Sequence, residues 1–283
     1  MYQFPIGVIL ESFRTDRSTA IKKAAAIGAN GIQMHSTYGE NAPENLSAQA
    51  RKDLLREVKD NGLVFSALCG DLGHGFGDKE RNPQLIEKSK AIIDLAKELE
   101  TNVVTTHIGV VPDDPNHDRY KIMQEACFAL AAYADSVDAH FAIETGPETS
   151  LVLKHFLDSL NSTGVAVNLD PAHLRMVTGD DPVQAVYNLQ KYIVHTHAKD
   201  GNLLVRGNPE YLYGVTHPIP EEVKKTRYYE EVPLGTGSVD FPNYLKALED
   251  IGYRGFLTIE REAGEDPAAD IKTAYDFLKK TMA

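Results

Sequence analysis

A chain of 283 residues with a formal net charge of −12 lacks the basic surface that a phosphate backbone demands, so nucleic acid is a poor partner and neutral or cationic ligands are easier to seat. Its 42% hydrophobic and 25% charged residues are those of a globular enzyme with room for a large core, and no run approaches the ~20 apolar residues of a membrane span. Cys69 and Cys127 are the only cysteines and neither has a C-x-x-C partner, which argues against a disulfide framework. The opening MYQFPIGVILESF has neither the basic start nor the long apolar run of a signal peptide, so the expectation is a soluble cytoplasmic protein.

Ile6 to Leu10 is a compact apolar run, followed by polar Glu11 and Ser12 and a helix-like segment from Thr15 to Ile27 that stops at Gly28. The same strand–loop–helix unit returns with Gly31 to His35, then Ser47 to Asp60, where Ser47 is an N-cap candidate and Asn61-Gly62 the stop. Leu63 to Leu68 gives a third strand, a glycine-rich loop from Gly70 to Gly77, and a helix from Pro83 to Glu100 with proline in its first turn. Val103 to Thr106 ends at His107, and an alanine-rich helix spans Asp118 to Ser136. Phe141 to Ile143 ends at Glu144, with a helix from Glu148 to Leu160, and Val165 to Leu169 ends at Asp170-Pro171-Ala172-His173. A short helix, Pro182 to Leu189, leads to Tyr192-Ile193-Val194, which runs into His195-Thr196-His197-Ala198-Lys199-Asp200. With a period of two, His195 and His197 share one face of that strand.

Here the rhythm breaks. Asn202 to Glu231 has no clear period and is too long for an ordinary connection, while Tyr211, Tyr213, Tyr228 and Tyr229 argue against disorder. It is expected to be a lid or a partner-contacting insertion after strand seven. A helix from Phe241 to Ile251, a strand from Gly255 to Ile259 ending at Glu260, and a helix from Ala268 to Lys280 close the chain. Eight strands alternating with helices point to the α/β class and to a single (β/α)8 TIM barrel over residues 1–283.

In such a barrel the carboxyl ends of the strands converge on one face, where chemistry is placed. The late strands end in Glu144, in Asp170 with His173, in His197, and in Glu260. Three carboxylates in one pocket raise each other's pKa, and a divalent cation removes the conflict. Oxygen donors with a single nitrogen suit Mn2+, Mg2+ or Co2+ better than a thiolate-bound structural zinc, with Zn2+ still open. Each residue also has a bland reading. Asp170-Pro171 could start a helix, Glu260-Arg261-Glu262 could be a surface ion pair, and His195 could be a satisfied core histidine. Four ligand-type residues at four strand ends weigh against coincidence. His107 and His35 end strands four and two and are either substrate contacts or structural histidines. Lys199 either bonds a sugar oxygen or pairs with Asp200. Gly235-Thr236-Gly237 is read as a tight turn in preference to a phosphate cradle.

The runs Ile143-Glu144-Thr145-Gly146 with Glu148-Thr149, Asn168-Leu169-Asp170-Pro171-Ala172-His173, and Val194-His195-Thr196-His197-Ala198-Lys199-Asp200 carry a family resemblance. So do Glu231-Val232-Pro233-Leu234-Gly235-Thr236-Gly237 and Ile259-Glu260-Arg261-Glu262-Ala263-Gly264. Over nearly its whole length the chain resembles the sugar phosphate isomerase/epimerase superfamily, whose barrel is xylose isomerase-like, and within it the ketose 3-epimerases. The resemblance implies a metal held by Glu144, Asp170, His197 and Glu260, and it favours His197 over His195. It implies that Glu144 and Glu260 also serve as the acid/base pair on opposite faces of a ketose, through an enediolate, and that His173 contacts substrate oxygens. The implied partner is a small-molecule sugar, with a homo-oligomer as a further expectation. Three other activities share parts of this pattern. A lyase, hydratase or C-glycoside-cleaving subunit acting on 3-keto-glycosides would use the same metal and bases, and the aromatic insertion would seat its aglycone. An apurinic endonuclease would share the D-x-x-H of Asp170 and His173, but it needs an additional His/Asp pair where only His217 is available. A non-catalytic sugar-binding module would bind the metal without proton exchange.

Overall fold

The computed structural model describes residues 2–215 and 217–283; Met1 and Thr216, the latter inside the expected insertion, lie outside them. The described residues form ten strands: β1 (Ile6–Ile9), β2 (Gly31–His35), β3 (Val64–Cys69), β4 (Val103–Thr106), β5 (His140–Glu144), β6 (Val165–Leu169), β7 (Ile193–Ala198), β8 (Asp200–Leu203), β9 (Tyr229–Val232) and β10 (Leu257–Ile259). Eight of them close into a barrel in the order β1-β10-β7-β6-β5-β4-β3-β2, every neighbouring pair parallel. The alternation of apolar strands and capped helices thus closes on itself as expected, with strand ends differing from the sequence reading by a residue or two. Helices begin where a side-chain oxygen accepts an otherwise unpaired backbone N–H: Asp16 from Thr19, Ser47 from Ala50, and Thr149 from Val152.

Side-chain alternation sorts the barrel into an apolar outside and a polar inside. In β2, Gln33 reaches Thr105 and His197 across the barrel, at 3.3 and 3.2 Å, so Ile32 and Met34 turn to the helices and are fully buried. The floor of the interior is a separate small apolar cluster of Ala67, Val103, Ala142 and Ala166. Ala142 lies two residues before Glu144, and the same period carries the chain from floor to mouth. Gly7 is required by close approach, since a Cβ there would stand 2.6 Å from Thr258 Oγ1.

The stretch from Asn202 to Glu231 is built upon the barrel mouth as a two-stranded antiparallel ribbon, β8 paired with β9 from Asp200↔Val232 to Leu203↔Tyr229. Short helical turns at Pro209–Leu212 and Glu221–Lys225 lie between its strands. The ribbon had no visible period because four-residue strands carry too few alternations to register. Its base is tied by Asp200, whose Oδ1 accepts the N–H of Gly201 and Val239 and whose Oδ2 accepts those of Gly235 and Gly237, at 2.9–3.1 Å.

Candidate metal centre and substrate site

Four adjacent strands, β5, β6, β7 and β10, deliver Glu144, Asp170, His197 and Glu260 to one point at the carboxyl end of the barrel. One ligand-type atom from each lies within 4.8 Å of all the others. His197 Nδ1 is the hub, 3.5 Å from Glu144 Oε1, 3.4 Å from Asp170 Oδ2 and 3.1 Å from Glu260 Oε2. The Nε2 atom of the same ring is 3.2 Å from Gln33 Oε1; when it donates there, Nδ1 presents its lone pair to the three carboxylates. Asn168 Nδ2 donates to Glu144 Oε2 at 3.1 Å, turning the other oxygen toward the hub. Asp170 does two jobs at once. Its Oδ1 accepts the His173 N–H and starts a short helix, while Oδ2 is buried without a hydrogen bond, as is Glu260 Oε2. Asp170 Oδ2 lacks a hydrogen bond, and Glu260 Oε2 meets only Lys199 and His197, so two buried carboxylate oxygens crowd one nitrogen, an arrangement that fits a divalent cation.

The electrostatics of the metal-free protein tell the same story. Burial raises the Glu144 pKa, yet facing His107 and His197 outweigh it and hold the carboxyl well below its usual range. Glu260 is likewise held down, against burial, by Lys199 and His197. Burial works against charge on His197 and Lys199, but the surrounding carboxylates keep both pKa values well above normal. Protons on the base side thus stand in for the charge a cation would supply. His107 bonds Asp71 through Nδ1 at 3.1 Å and points Nε2 at Glu144, 3.7 Å away; burial lowers its pKa, but Glu144 and Asp71 lift it to about 9.

Of the expected substrate contacts, His173 and Lys199 join the two glutamates in a single chain. Glu144 Oε1 is 3.1 Å from His173 Nδ1, His173 Nε2 is 3.3 Å from Lys199 Nζ, and Lys199 Nζ is 3.2 Å from Glu260 Oε2. Lys199 does not pair with Asp200; its ammonium, only 1% exposed, bonds Glu262 at 2.5 Å. His107 joins Glu144 and His173 in a second group with metal-ligand spacing, sharing Glu144 with the first. His195 is a satisfied core residue, held by Asn168 Oδ1 at 2.9 Å and Thr258 Oγ1 at 2.8 Å. Glu260 turns inward, while Arg261 beside it pairs with Glu231 and Asp270. The N–H groups of Gly235 and Gly237 are consumed by Asp200, so that turn is structural and cradles no phosphate. His35 lies apart from the cluster, its N–H bonded to Glu11.

Sequence reasoning missed Gln33, Asn168 as an orienting group, and Tyr213. Gln33 had a signal, a lone amide between Ile32 and Met34 in an apolar strand. Tyr213 had only the weak signal of a tyrosine-bearing insertion, because the folded insertion alone brings its ring to 6.0 Å from His107 and its hydroxyl against Gly146.

A (β/α)8 barrel with three carboxylates and an imidazole gathered at its carboxyl mouth defines the class. Residues 21–281 match the model of the xylose isomerase-like TIM barrel family, and the chain belongs to it. It is similar to L-ribulose-5-phosphate 3-epimerase UlaE of Shigella boydii, 30% identical over 147 residues, which are 46% of this chain and 51% of that protein. The chain thus aligns with about half the length of this curated relative. Among solved structures it is similar to a xylose isomerase domain protein from Planctomyces limnophilus, at 23% identity with a TM-score of 0.78, covering 98% of this chain and 96% of that one. It is also similar to the probable 3-DHS dehydratase AsbF from Bacillus anthracis, at 19% identity and a TM-score of 0.73, with 98% and 99% covered. No helix among the described residues is long and apolar enough to cross a membrane.

Proposed function

We propose that the protein is a metal-dependent sugar isomerase or epimerase that moves a proton at the carbon beside a carbonyl. The observation that carries the reading is the convergence of Glu144, Asp170 and Glu260 on His197 Nδ1 from four adjacent strand ends, with Asp170 Oδ2 buried and without a hydrogen bond. These four residues would hold one divalent ion, Mn2+ by preference, with Mg2+, Co2+ or Zn2+ as alternatives the donor set admits. When bound, such a cation would polarise the sugar's carbonyl and hydroxyl oxygens and so acidify the neighbouring C–H.

The chain's own residues do the rest. Glu144 and Glu260 are the acid/base pair: the ionised carboxylate of one takes the proton from the carbon beside the carbonyl, and the other, having taken up a proton from solvent beforehand, returns it to the opposite face of that carbon. Asn168 and His173 orient Glu144, and Lys199 orients Glu260. His173, His107 and Lys199 line the path by which sugar oxygens reach the pair, and each can donate to a hydroxyl. The likeness to a 3-epimerase over half its length supports epimerisation within this class. Two free, buried cysteines suit a reducing cytoplasm.

The test is solvent-deuterium incorporation, followed by NMR, into a panel of ketoses with protein stripped of metal and then given Mn2+. Metal-dependent deuterium beside the carbonyl, with the epimer or aldose appearing, is the expected result, and Glu260→Gln should lower the rate at least a hundredfold with the fold unchanged. Exchange accompanied by loss of water or of a substituent would move the protein to the lyases. Wild-type rates in Glu260→Gln would overturn the paired-glutamate mechanism.

A further inference from the structure

The loop after β10, from Glu260 to Gly264, carries one of the two glutamates but forms neither helix nor strand, so its own backbone does not fix it. Side chains from two distant segments hold it instead. From the end of the insertion, Glu231 Oε1 accepts the Arg261 guanidinium and the N–H groups of Glu262 and Ala263, at 2.5, 3.1 and 3.2 Å. From the end of the helical turn Leu10–Phe13, Arg14 donates Nη2 to the carbonyls of Glu262 and Ala263, at 2.5 and 3.0 Å, and Nη1 to that of Gly264, at 2.8 Å. A carboxylate thus gathers the N–H groups of the loop and a guanidinium gathers its carbonyls. The Glu231 side chain is 8% exposed, so its bonds are made away from water, where they are stronger. Arg14 stands at φ 52° and ψ 39°, a left-handed conformation that a residue with a Cβ keeps only when its surroundings enforce it.

We infer that Glu231 and Arg14 are positioning residues for Glu260: by clamping the loop they place its carboxylate 3.1 Å from His197 Nδ1, and the insertion, through Glu231, sets whether that half of the glutamate pair is in place. The inference rests on the proposed roles of Glu144 and Glu260 and names what governs one of them. Lys199 carries the link inward. Its buried ammonium is 2.5 Å from Glu262 Oε2 in the clamped loop, 3.8 Å from Glu231 Oε2 in the insertion and 3.2 Å from Glu260 Oε2 in the cluster. Glu144 has no share in the clamp. It stands on β5, where Asn168 and His173 orient it, so lifting the insertion would displace one glutamate and spare the other.

Crystal structures of metal-free Glu231→Gln and Arg14→Lys test the placement without any substrate. Glutamine has one acceptor oxygen and turns an NH2 toward the loop's donors, and a lysine ammonium cannot fork across three carbonyls. In both variants the contact between Glu260 Oε2 and His197 Nδ1 should lengthen by about 1 Å or more, a misplacement that costs a reacting group on the order of a hundredfold. Glu230→Gln, next along the ribbon and bonded to Asn202 and Arg227, should leave the contact as it is. An unmoved contact in the clamp variants, or an equal shift in Glu230→Gln, would overturn the inference. The two clamp residues lie in separate segments, so either variant decides if the other fails to fold. Kinetics in D2O with Mn2+ then read the consequence. After Glu144 takes the proton, deuterium either comes back to the face it left, or is delivered by Glu260 to the other face to give the epimer. With Glu260 displaced, the ratio of deuterium in recovered ketose to epimer formed should rise about tenfold or more, with kcat for the epimer reduced and KM within about threefold of the wild type. A lengthened contact with exchange and epimerisation falling in step would uphold the placement and count against the paired glutamates. If no ketose exchanges in the wild type, the proposed chemistry falls, and the crystallographic contact alone upholds or overturns the clamp.

Discussion

Glu148 shows how one buried carboxyl can mark a cost carried beside the site. It lies four residues past Glu144, is 6% exposed, and accepts the Val111 N–H on Oε2 while Oε1 has no hydrogen bond. Burial lifts its pKa from an ordinary 4.5 to about 8. Between those values the folded chain keeps a proton that the unfolded chain has released, so the unfolded state binds fewer protons and stability falls as pH rises through that window. A tenfold difference in proton affinity between the two states is worth about 1.4 kcal/mol, so the loss amounts to a few kcal/mol by pH 8 and then levels off. Glu148→Gln keeps an oxygen for Val111 and has no proton to lose. Thermal melts from pH 5 to pH 9 should therefore show the variant gaining on the wild type up to about pH 8. Parallel curves would mean that Glu148 is ionised when folded. At this scale the sequence was legible where a residue's strand position decides where its side chain ends up, as for the meeting of Glu144, Asp170, His197 and Glu260. It was illegible where the role depends on what lies opposite: Asn168 stands in a conspicuous motif, but that its amide orients Glu144 while its oxygen holds His195 is a property of neighbouring strands.

At the scale of elements, the ribbon carrying the insertion is held at its base by two carboxylates, of which Asp200 takes the most backbone donors. Asp200 is 1% exposed and divides four backbone N–H donors between its two oxygens, and a Cβ at Gly237 would sit 2.3 Å from Oδ1. Burial raises its pKa while those four donors favour the charged form. Asparagine cannot replace it, because an amide has one acceptor oxygen and its NH2 would face two N–H groups head-on. Asp200→Asn should cost about 2–4 kcal/mol, the range for losing charge-assisted bonds and leaving donors unpaired. It should also expose 202–231 to proteolysis before the barrel melts. An unchanged melting temperature and an intact insertion would show that the ribbon holds by its strand pairing alone. The eight barrel strands and their helices were readable because each is long enough to show a period and is bounded by caps or glycines. The insertion was readable only as an interruption. Its ribbon is fixed by Asp200 and by Glu231, which pairs with Arg261 and accepts the N–H groups of Glu262 and Ala263, contacts some 30 residues or more apart in sequence.

For the whole molecule, the carboxylate cluster places like charges at the mouth of the barrel, a cost that a bound cation would relieve. Three acids from three strand ends are tolerated by holding protons on His197 and charge on Lys199, and a cation would have to displace the His197 proton to bind. Affinity should accordingly weaken as pH falls. Because the four residues come from β5, β6, β7 and β10, an ion held there would tie together half of the barrel and bind only the folded state. At a metal concentration a hundred times the dissociation constant the gain is about 2.7 kcal/mol, a rise on the order of 5–10 °C for a chain of this size. Asp170→Asn isolates the effect. Its remaining oxygen can still accept the His173 N–H and start the helix, while the lost charge relieves repulsion among the acids. Calorimetry after chelation should find this variant melting no lower than the wild type. On adding Mn2+ the wild type should rise and the variant should not. A wild type indifferent to Mn2+, Mg2+, Co2+ and Zn2+ would mean that the four residues are an ion-pair network that needs no metal, and an equal rise in the variant would place the ion elsewhere, the His107–Glu144–His173 group being the next candidate.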